Sequence, residues 1–168
     1  VHNRAAKMGA LINELLDFLK YNKENFTLRI KQQDIVLFTQ EIYDSFVSYA
    51  ELKNIHFNFV FDQKSQYTWF DEVQLQKVFN NILSNAFKFT PENGTVEIKI
   101  TTSASSVIIT FNDSGIGIPK DMTERIFERF FQVNNSVNRE LSNTGTGIGL
   151  SLSLNIVKAH HGLSLIHI

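Results

Sequence analysis

Four polar side chains recur along one predicted helix at a spacing that places them on a single ridge: Lys77, Asn81, Asn85 and Lys88. Residues three or four positions apart lie one above another on a helix. A carboxamide oxygen is a hard, neutral ligand that suits Mg²⁺ carrying phosphate oxygens and water. A lysine one turn later is then placed to meet a phosphate. The ridge predicts a magnesium–phosphate site, and the alternative interpretation is a solvated helix face.

A first glycine-rich segment, residues 113–119, follows a predicted strand and reads Asp-Ser-Gly-Ile-Gly-Ile-Pro. Gly115 and Gly117 permit a tight turn or a close approach of a ligand to the backbone. Asp113, at the end of the strand, is positioned to accept a hydrogen bond from an exocyclic amine. An ordinary Asp-x-Gly turn is the alternative.

A second glycine-rich segment, residues 145–150, opens a predicted helix and reads Gly-Thr-Gly-Ile-Gly-Leu. Backbone N–H groups at the N-terminus of a helix form an anion site. The segment is not a P-loop, because no Gly-Lys-Ser/Thr follows. It also differs from a dinucleotide fingerprint, because the third glycine comes one residue early and no strand leads into it. A glycine-rich helix start without a ligand is the alternative.

The pattern of apolar and polar residues predicts the elements that position these groups. Strands are expected at residues 26–30, 55–61, 67–70, 95–101 and 107–111. Helices are expected at 3–24, 35–53, 72–89 and 124–131. A last helix is expected to begin within residues 145–149 and to end near His160. Asp34 and Asp71 stand where N-caps are expected.

Composition limits the class of protein. The chain has 168 residues, a hydrophobic fraction of 43%, a net charge of −1 and no cysteine. These values suit a folded domain, fit a reducing compartment and argue against a nucleic-acid surface, which is usually basic. No apolar run approaches the roughly 20 residues of a membrane helix, and no signal peptide is visible. Because the chain does not begin with Met, we expect an excised piece of a longer protein.

In their order along the chain, these segments resemble the catalytic domain of sensor histidine kinases of two-component systems. Those kinases belong to an ATPase superfamily shared with gyrase, heat-shock chaperones and mismatch-repair proteins. Residues 81–90 resemble the N box, 113–117 the first glycine box, 127–131 the F box and 145–149 the second glycine box. The resemblance covers about residues 3–162. Residues 69–71 and 85–89 further resemble hybrid sensor kinases of Bacteroidota.

The resemblance implies a fold: an α/β two-layer sandwich, a mixed sheet with helices on one face, truncated before its C-terminal strands. It also implies ATP and Mg²⁺ as cofactors. Asn85 would bind Mg²⁺ with the help of Asn81, Lys88 would contact phosphate, and Asp113 would read the adenine amino group. Residues 120–144 would form a mobile lid over ATP, anchored by Phe127 and Phe130, with Arg129 as a further candidate for phosphate. The remaining residues of the implied nucleotide site are Phe89, Gly115, Gly117, Ile118, Phe130, Gly145, Thr146, Gly147, Gly149 and Leu150.

The residue at one position differs between members of this superfamily that hydrolyse ATP and members that transfer its phosphoryl group to a protein. Gyrase-like relatives carry a glutamate where this chain has Asn81, and a glutamate there can activate water as a general base. Asparagine cannot, so the resemblance implies transfer of the ATP γ-phosphoryl group to a protein histidine. The alternatives are a nucleotide-binding regulatory module without kinase activity, and an ATPase or serine kinase of the same superfamily.

The resemblance also implies partners. Residues 1–24 resemble the second helix of a dimerisation hairpin, and residues 25–168 form the catalytic domain. The helix carries one apolar stripe: Met8, Leu11, Ile12, Leu15, Leu16 and Leu19. The last six residues, 163–168, are compatible with the start of a strand, and they also resemble a translated adapter sequence. None of the five histidines matches a phosphoacceptor.

The phosphoacceptor helix, in cis or in trans, is therefore expected outside this chain. Further expectations are a response-regulator receiver domain and a homodimeric parent protein. Nucleic acid and direct membrane contact are not expected. The domain would be cytoplasmic, within a sensor protein of the inner membrane.

Overall fold

Two units make up the chain. A computed structural model describes residues 27–133 and 146–162. One unit comprises residues 29–117, and the other is described over 27–28, 118–133 and 146–162. The predicted helix at 3–24, Gly145 and the last six residues lie outside the described residues.

The first unit contains two long helices, each begun by an aspartate. Helix α1 runs Ile35–Leu52, and Asp34 Oδ1 accepts hydrogen bonds from Val36 N at 3.0 Å and from Leu37 N at 3.4 Å. Helix α2 runs Glu72–Phe89, and Asp71 Oδ1 accepts from Gln74 N at 3.1 Å. Both predicted caps are confirmed. Such a side chain satisfies N–H groups that have no partner within the helix.

Five strands in the first unit form two sheets. Strands β1 and β3 pair antiparallel, β2 pairs parallel with β4, and β4 pairs antiparallel with β5. The three-stranded sheet has the order β2-β4-β5 and is therefore mixed, as predicted. The bounds are Lys31–Asp34 (β1), His56–Phe61 (β2), Tyr67–Phe70 (β3), Thr95–Thr102 (β4) and Val107–Asp113 (β5).

The core of this unit lies between its helices and the mixed sheet. Alternate residues of β4 are buried (Val96, Ile98 and Ile100), because successive side chains of a strand point to opposite faces. Aromatic rings fill the space above them. Phe87 of α2 is fully buried, with its ring centroid 5.7 Å from that of Phe46 and 5.0 Å from that of Phe57.

The predicted strand at 26–30 is wrong in position. Strand β1 begins at Lys31, which lies opposite Phe70, the last residue of β3. Asp71 follows Phe70, and its Oδ2 accepts a hydrogen bond from Arg29 N at 2.7 Å. The backbone before Lys31 is therefore held by a side chain rather than by a strand, and Thr27–Ile30 forms no regular element.

The second unit is mostly irregular before its helix. Two short 3-10 helices run Lys120–Met122 and Arg125–Phe127, and helix α3 runs Gly149–Ala159. The predicted helix at 124–131 is wrong, because Glu128 is extended and Phe130 has a φ of 61°. A long-range hydrogen bond explains the difference: Phe130 N donates to Gly147 O at 2.9 Å. Within the described ranges, no helix is long and apolar enough to cross a membrane.

Candidate functional site

The predicted ridge of α2 lies at the border between core and solvent. Asn81, Asn85 and Lys88 are half-buried, whereas Asn80 and Ser84 on the same helix are exposed. A freely solvated face would expose all five side chains alike. Lys88 Nζ lies 4.7 Å from the ring centroid of Phe89, which keeps the ammonium group near the C-terminal turn of the helix. The ridge is therefore partly sheltered, as a binding surface requires.

The first glycine-rich segment is a turn tied to the end of α2. Asp113 ends β5, and its Oδ1 accepts a hydrogen bond from Gly115 N at 2.9 Å. Such a bond closes an Asx turn. Ile116 N donates to Phe89 O at 3.3 Å. The structure thus brings Asp113 and Gly115 to the end of the helix that carries the ridge.

The two glycines of this turn differ in what surrounds them. A Cβ on Gly115 would stand 2.6 Å from Asp113 Oδ1 and 2.8 Å from Phe89 O, so no side chain fits there. Gly117 has a φ of +67°, which side chains rarely adopt, and no atom lies within 4 Å of its Cβ position. Gly115 therefore packs the turn against α2, and Gly117 leaves backbone open to a ligand.

In the second unit, the F-box segment and the second glycine segment meet through their backbones. Gly147 has a φ of +72°, and a Cβ there would stand 2.7 Å from Phe130 Cα. Phe130 leaves 66% of its surface exposed. Thr146 Oγ1 accepts a hydrogen bond from Ile148 N at 3.2 Å, directly before α3 begins at Gly149. Phe130, Thr146 and Gly147 are thus neighbours, while Ile118 and Leu150 are half-buried in the same unit.

The donors available to a metal are amides rather than acidic clusters. In the part of the chain that the structure describes, no three His, Cys, Asp or Glu side chains come together. Neutral oxygens such as those of Asn81 and Asn85 suit Mg²⁺ when phosphates and water complete its ligands. A small cavity elsewhere contains none of the predicted site residues; it is lined by Phe38, Glu41, Ile42, Ser45, Glu72 and Gln76.

Two hydroxyl residues, one in the turn and one near it, were given no role by the sequence. Ser114 Oγ accepts a hydrogen bond from Thr95 N at 2.8 Å, and Ser114 N donates to Thr95 O at 3.0 Å. These bonds join the turn to the start of β4. Thr90 follows α2 and is buried. Both lie within segments that resemble family motifs, Ser114 in the first glycine box and Thr90 at the end of the N box, but neither was assigned a role.

Comparison with known proteins places these motifs in a family. Residues 70–167, more than half of the chain, match the family model described as "Histidine kinase-, DNA gyrase B-, and HSP90-like ATPase". The chain belongs to this ATPase family. Every residue predicted for the nucleotide site lies within the matched range.

Relatives of this ATPase domain are histidine kinases. It is 40% identical to histidine kinase P4 of Formosa agariphila over 99% of this chain. The chain spans only 12% of that relative and 26% of the sensor histidine kinase WalK of Bacillus subtilis. It therefore corresponds to a small part of the curated relatives that it matches.

Solved structures of histidine kinase ThkA resemble the ATPase domain. The nucleotide-free catalytic domain of ThkA is 27% identical, with a TM-score of 0.68, over 78% of this chain and 81% of that one. ThkA in complex with the response regulator protein TrrA is 26% identical, also with a TM-score of 0.68, over 83% of this chain and 41% of that one. The expected fold class is thereby confirmed.

Proposed function

We propose that the chain is the ATP-binding catalytic domain of a sensor histidine kinase, transferring the γ-phosphoryl group of ATP to a histidine on a dimerisation helix. A receiver-domain aspartate of a response regulator would then accept the group. One observation carries the proposal: the half-buried Asn81–Asn85–Lys88 ridge ends where α2 is hydrogen-bonded to the Asp113–Gly117 turn. The residues proposed for metal and phosphate and the residue proposed for adenine thus lie in one unit.

The residues of the first unit fit a nucleotide with its metal. Asn85, with Asn81 one turn before it, offers amide oxygens to Mg²⁺, and Lys88 offers an ammonium group to phosphate. Asp113 is exposed, and Gly115 N occupies its Oδ1, so Oδ2 remains a suitable acceptor for the adenine amino group. Bound Mg²⁺ would neutralise charge that develops on the phosphates during transfer.

Asn81 directs the reaction toward a protein acceptor. A carboxylate at this position could take a proton from an attacking water, whereas a neutral amide cannot act as a base. For phosphoryl transfer the protein mainly supplies positioning and charge stabilisation, which the ridge provides. We therefore expect negligible steady-state hydrolysis of ATP.

The second unit carries the backbone groups that the resemblance implies for phosphate. Gly147 and Thr146 precede α3, whose first N–H groups suit an anion such as phosphate. Phe130 and Gly147 hold each other through the hydrogen bond between Phe130 N and Gly147 O. Residues 120–144 are proposed as the lid over ATP, which Phe127 and Phe130 would anchor. Gly145, outside the described residues, stays a prediction.

Partners and location are inferred from the relatives. ThkA binds the response regulator TrrA, which supports a receiver domain as the partner of the parent protein. We further infer a homodimeric parent whose dimerisation hairpin supplies the phosphoacceptor, in cis or in trans. A sensor at the inner membrane with this domain in the cytoplasm is part of the same proposal.

The test has two steps, starting with calorimetry of Mg·ATP binding. Asn85→Ala should weaken binding about tenfold or more, equivalent to roughly 1.4 kcal/mol. Asn80→Ala is the matched control, because Asn80 is an exposed asparagine on the same helix and should leave affinity unchanged. The second step supplies a phosphoacceptor helix in trans with labelled ATP and looks for phosphohistidine.

Each outcome selects one function. Phosphohistidine that Asn85→Ala abolishes and Asn80→Ala retains would support the kinase. Tight nucleotide binding without transfer to any supplied helix would favour a regulatory module. Sustained ATP hydrolysis would favour an ATPase. A folded chain that binds no nucleotide would refute the proposal for this chain.

A further inference from the structure

Thr90 has a hydroxyl group that the fold does not use. The residue caps the C-terminus of α2, and only 5% of its surface is exposed. Its backbone N–H donates to Ala86 O at 2.9 Å, but Oγ1 has no hydrogen-bond partner among the described residues. Other buried hydroxyls are paired: Thr39 Oγ1 donates to Ile35 O, and Ser151 Oγ donates to Ile148 O, each at 2.7 Å.

The side chain of Thr90 lies close to Ser114, a residue of the Asp113–Gly117 turn. The point where a Cβ on Gly94 would stand is 2.4 Å from Thr90 Cγ2 and 2.9 Å from Ser114 Oγ. The two side chains therefore approach each other across Gly94. On the other side, Phe89 O accepts the hydrogen bond from Ile116 N. Thr90 thus adjoins the turn through both its side chain and its preceding residue.

Packing alone does not explain a threonine here. A buried hydroxyl without a partner is unfavourable, whereas valine has nearly the same shape and no polar atom. Buried polar groups in native proteins are almost always paired, with protein, water or ligand. A buried water is one partner that could satisfy Oγ1, and such a water is part of the structure rather than solvent.

We propose that Thr90 is a positioning residue of the nucleotide site, whose hydroxyl, through one buried water, holds the Asp113–Gly117 turn in the geometry that accepts adenine. The inference rests on the proposed nucleotide-binding function and deepens it. The methyl group of Thr90 packs against Gly94 and serves the fold. The hydroxyl group, in contrast, orients the turn for nucleotide binding.

Two substitutions separate these roles in the 168-residue chain. Thr90→Val keeps the methyl contact and removes the hydroxyl, so the melting temperature should stay equal or rise. Its affinity for Mg·AMPPNP should fall about three- to tenfold, the effect of one hydrogen bond. Thr90→Ser keeps the hydroxyl and removes the methyl, so the melting temperature should fall by about 2–4 °C. Its affinity should stay within about twofold of the parent chain.

A second measurement reports on the turn itself. Amide hydrogen exchange at Ile116, whose N–H donates to Phe89 O, should be faster in Thr90→Val than in Thr90→Ser. Affinity that follows melting temperature across both variants would overturn the inference, and so would a Thr90→Val chain that binds AMPPNP as the parent does. A parent chain that binds no AMPPNP would refute the proposed function and this inference together. Failure of the inference alone is recognised by a parent chain that binds AMPPNP and a Thr90→Val chain that binds it equally well.

Discussion

Three aspartates have two structural tasks, and each task follows from the residues around it. Asp34 and Asp71 begin helices, where their carboxylates accept hydrogen bonds from N–H groups that the helix leaves unpaired. Asp113 ends a strand and closes an Asx turn instead. All three positions could be predicted because capping and turn chemistry depend on neighbours within a few residues.

Asp34 provides a prediction about stability and pH. Burial acts to raise the pKa of its carboxyl, but hydrogen bonds from Ser65 Oγ and from Gln66, Val36 and Leu37 N–H groups outweigh burial and lower it. In the unfolded chain the pKa of this carboxyl is near its ordinary value of 3.8. Because the pKa is lower in the folded chain, the charged carboxylate stabilises the fold fully above about pH 4. That stabilisation is lost as pH falls through the lowered pKa.

Asp34→Ala should therefore reduce the free energy of unfolding by about 0.5–2 kcal/mol at pH 7. The difference from the parent chain should stay constant down to about pH 4 and shrink below it. Urea unfolding across this range measures it. Asp44→Ala, at an exposed position of the same helix, should change stability by less than about 0.5 kcal/mol. A deficit that grows as pH falls would contradict the assignment.

Other single residues could not be predicted, because their partners are distant in sequence. Phe87 lies four positions after buried Leu83, so helical spacing was compatible with burial, but its partners Phe46 and Phe57 lie on other elements. Thr90 is a stronger case. Its proposed role depends on Ser114, twenty-four positions later in the chain, whose side chain the fold brings close to it across Gly94.

At the scale of elements, local signals predicted α1, α2 and the mixed sheet, and failed where pairing is long-range. The alternating residues 26–30 resembled a strand, but β1 is defined by β3, more than thirty residues later. Residues 124–131 have helix-forming composition. The N–H of Phe130 nevertheless donates its hydrogen bond to Gly147 O rather than to a carbonyl within a helix. Propensity is overridden wherever a distant partner satisfies the backbone.

The pairing of Phe130 with Gly147 gives a prediction at this scale. Gly147→Ala would place a Cβ 2.7 Å from Phe130 Cα in a left-handed conformation that costs a non-glycine residue roughly 1–2 kcal/mol. The contact must therefore separate, and we expect both a lower melting temperature and weaker Mg·ATP binding. Differential scanning fluorimetry and calorimetry measure the two effects.

Gly162→Ala is the matched control. Its Cβ would meet the movable Val157 Cγ1 at 3.0 Å, and the φ of Gly162 lies outside the left-handed region. Nucleotide affinity should be unchanged in that variant. If Gly147→Ala binds Mg·ATP like the parent chain, the Phe130–Gly147 contact has no part in the site.

At the scale of the whole molecule, the proposed function requires an acceptor histidine that the sequence does not predict in this chain. The ridge of α2, the Asp113–Gly117 turn and the second glycine-rich segment all lie within residues 70–167, which match the ATPase family. The curated relatives are far longer, and the sequence predicts none of the five histidines here as a phosphoacceptor. Under the proposed function, transfer then depends on another segment of the parent protein meeting this domain.

The apolar stripe of residues 8–19 predicts how such segments associate. A stripe of this kind rarely stays exposed and typically pairs with another helix. We therefore expect the chain to sediment as a concentration-dependent dimer. Leu15→Lys should shift it toward monomer, because an ammonium group in an apolar seam is costly to desolvate. Analytical ultracentrifugation across a range of concentrations measures the shift.

Leu52→Lys is the control for added charge, because Leu52 ends α1 and is 80% exposed. It should leave sedimentation unchanged. Leu15→Lys should also keep the parent affinity for Mg·ATP, since Leu15 lies outside residues 70–167 and all predicted nucleotide contacts lie inside them. Association and nucleotide binding would then be separable properties of one chain. A parent chain that stays monomeric at high concentration, or equal shifts in both variants, would remove the stripe as the cause of dimerisation.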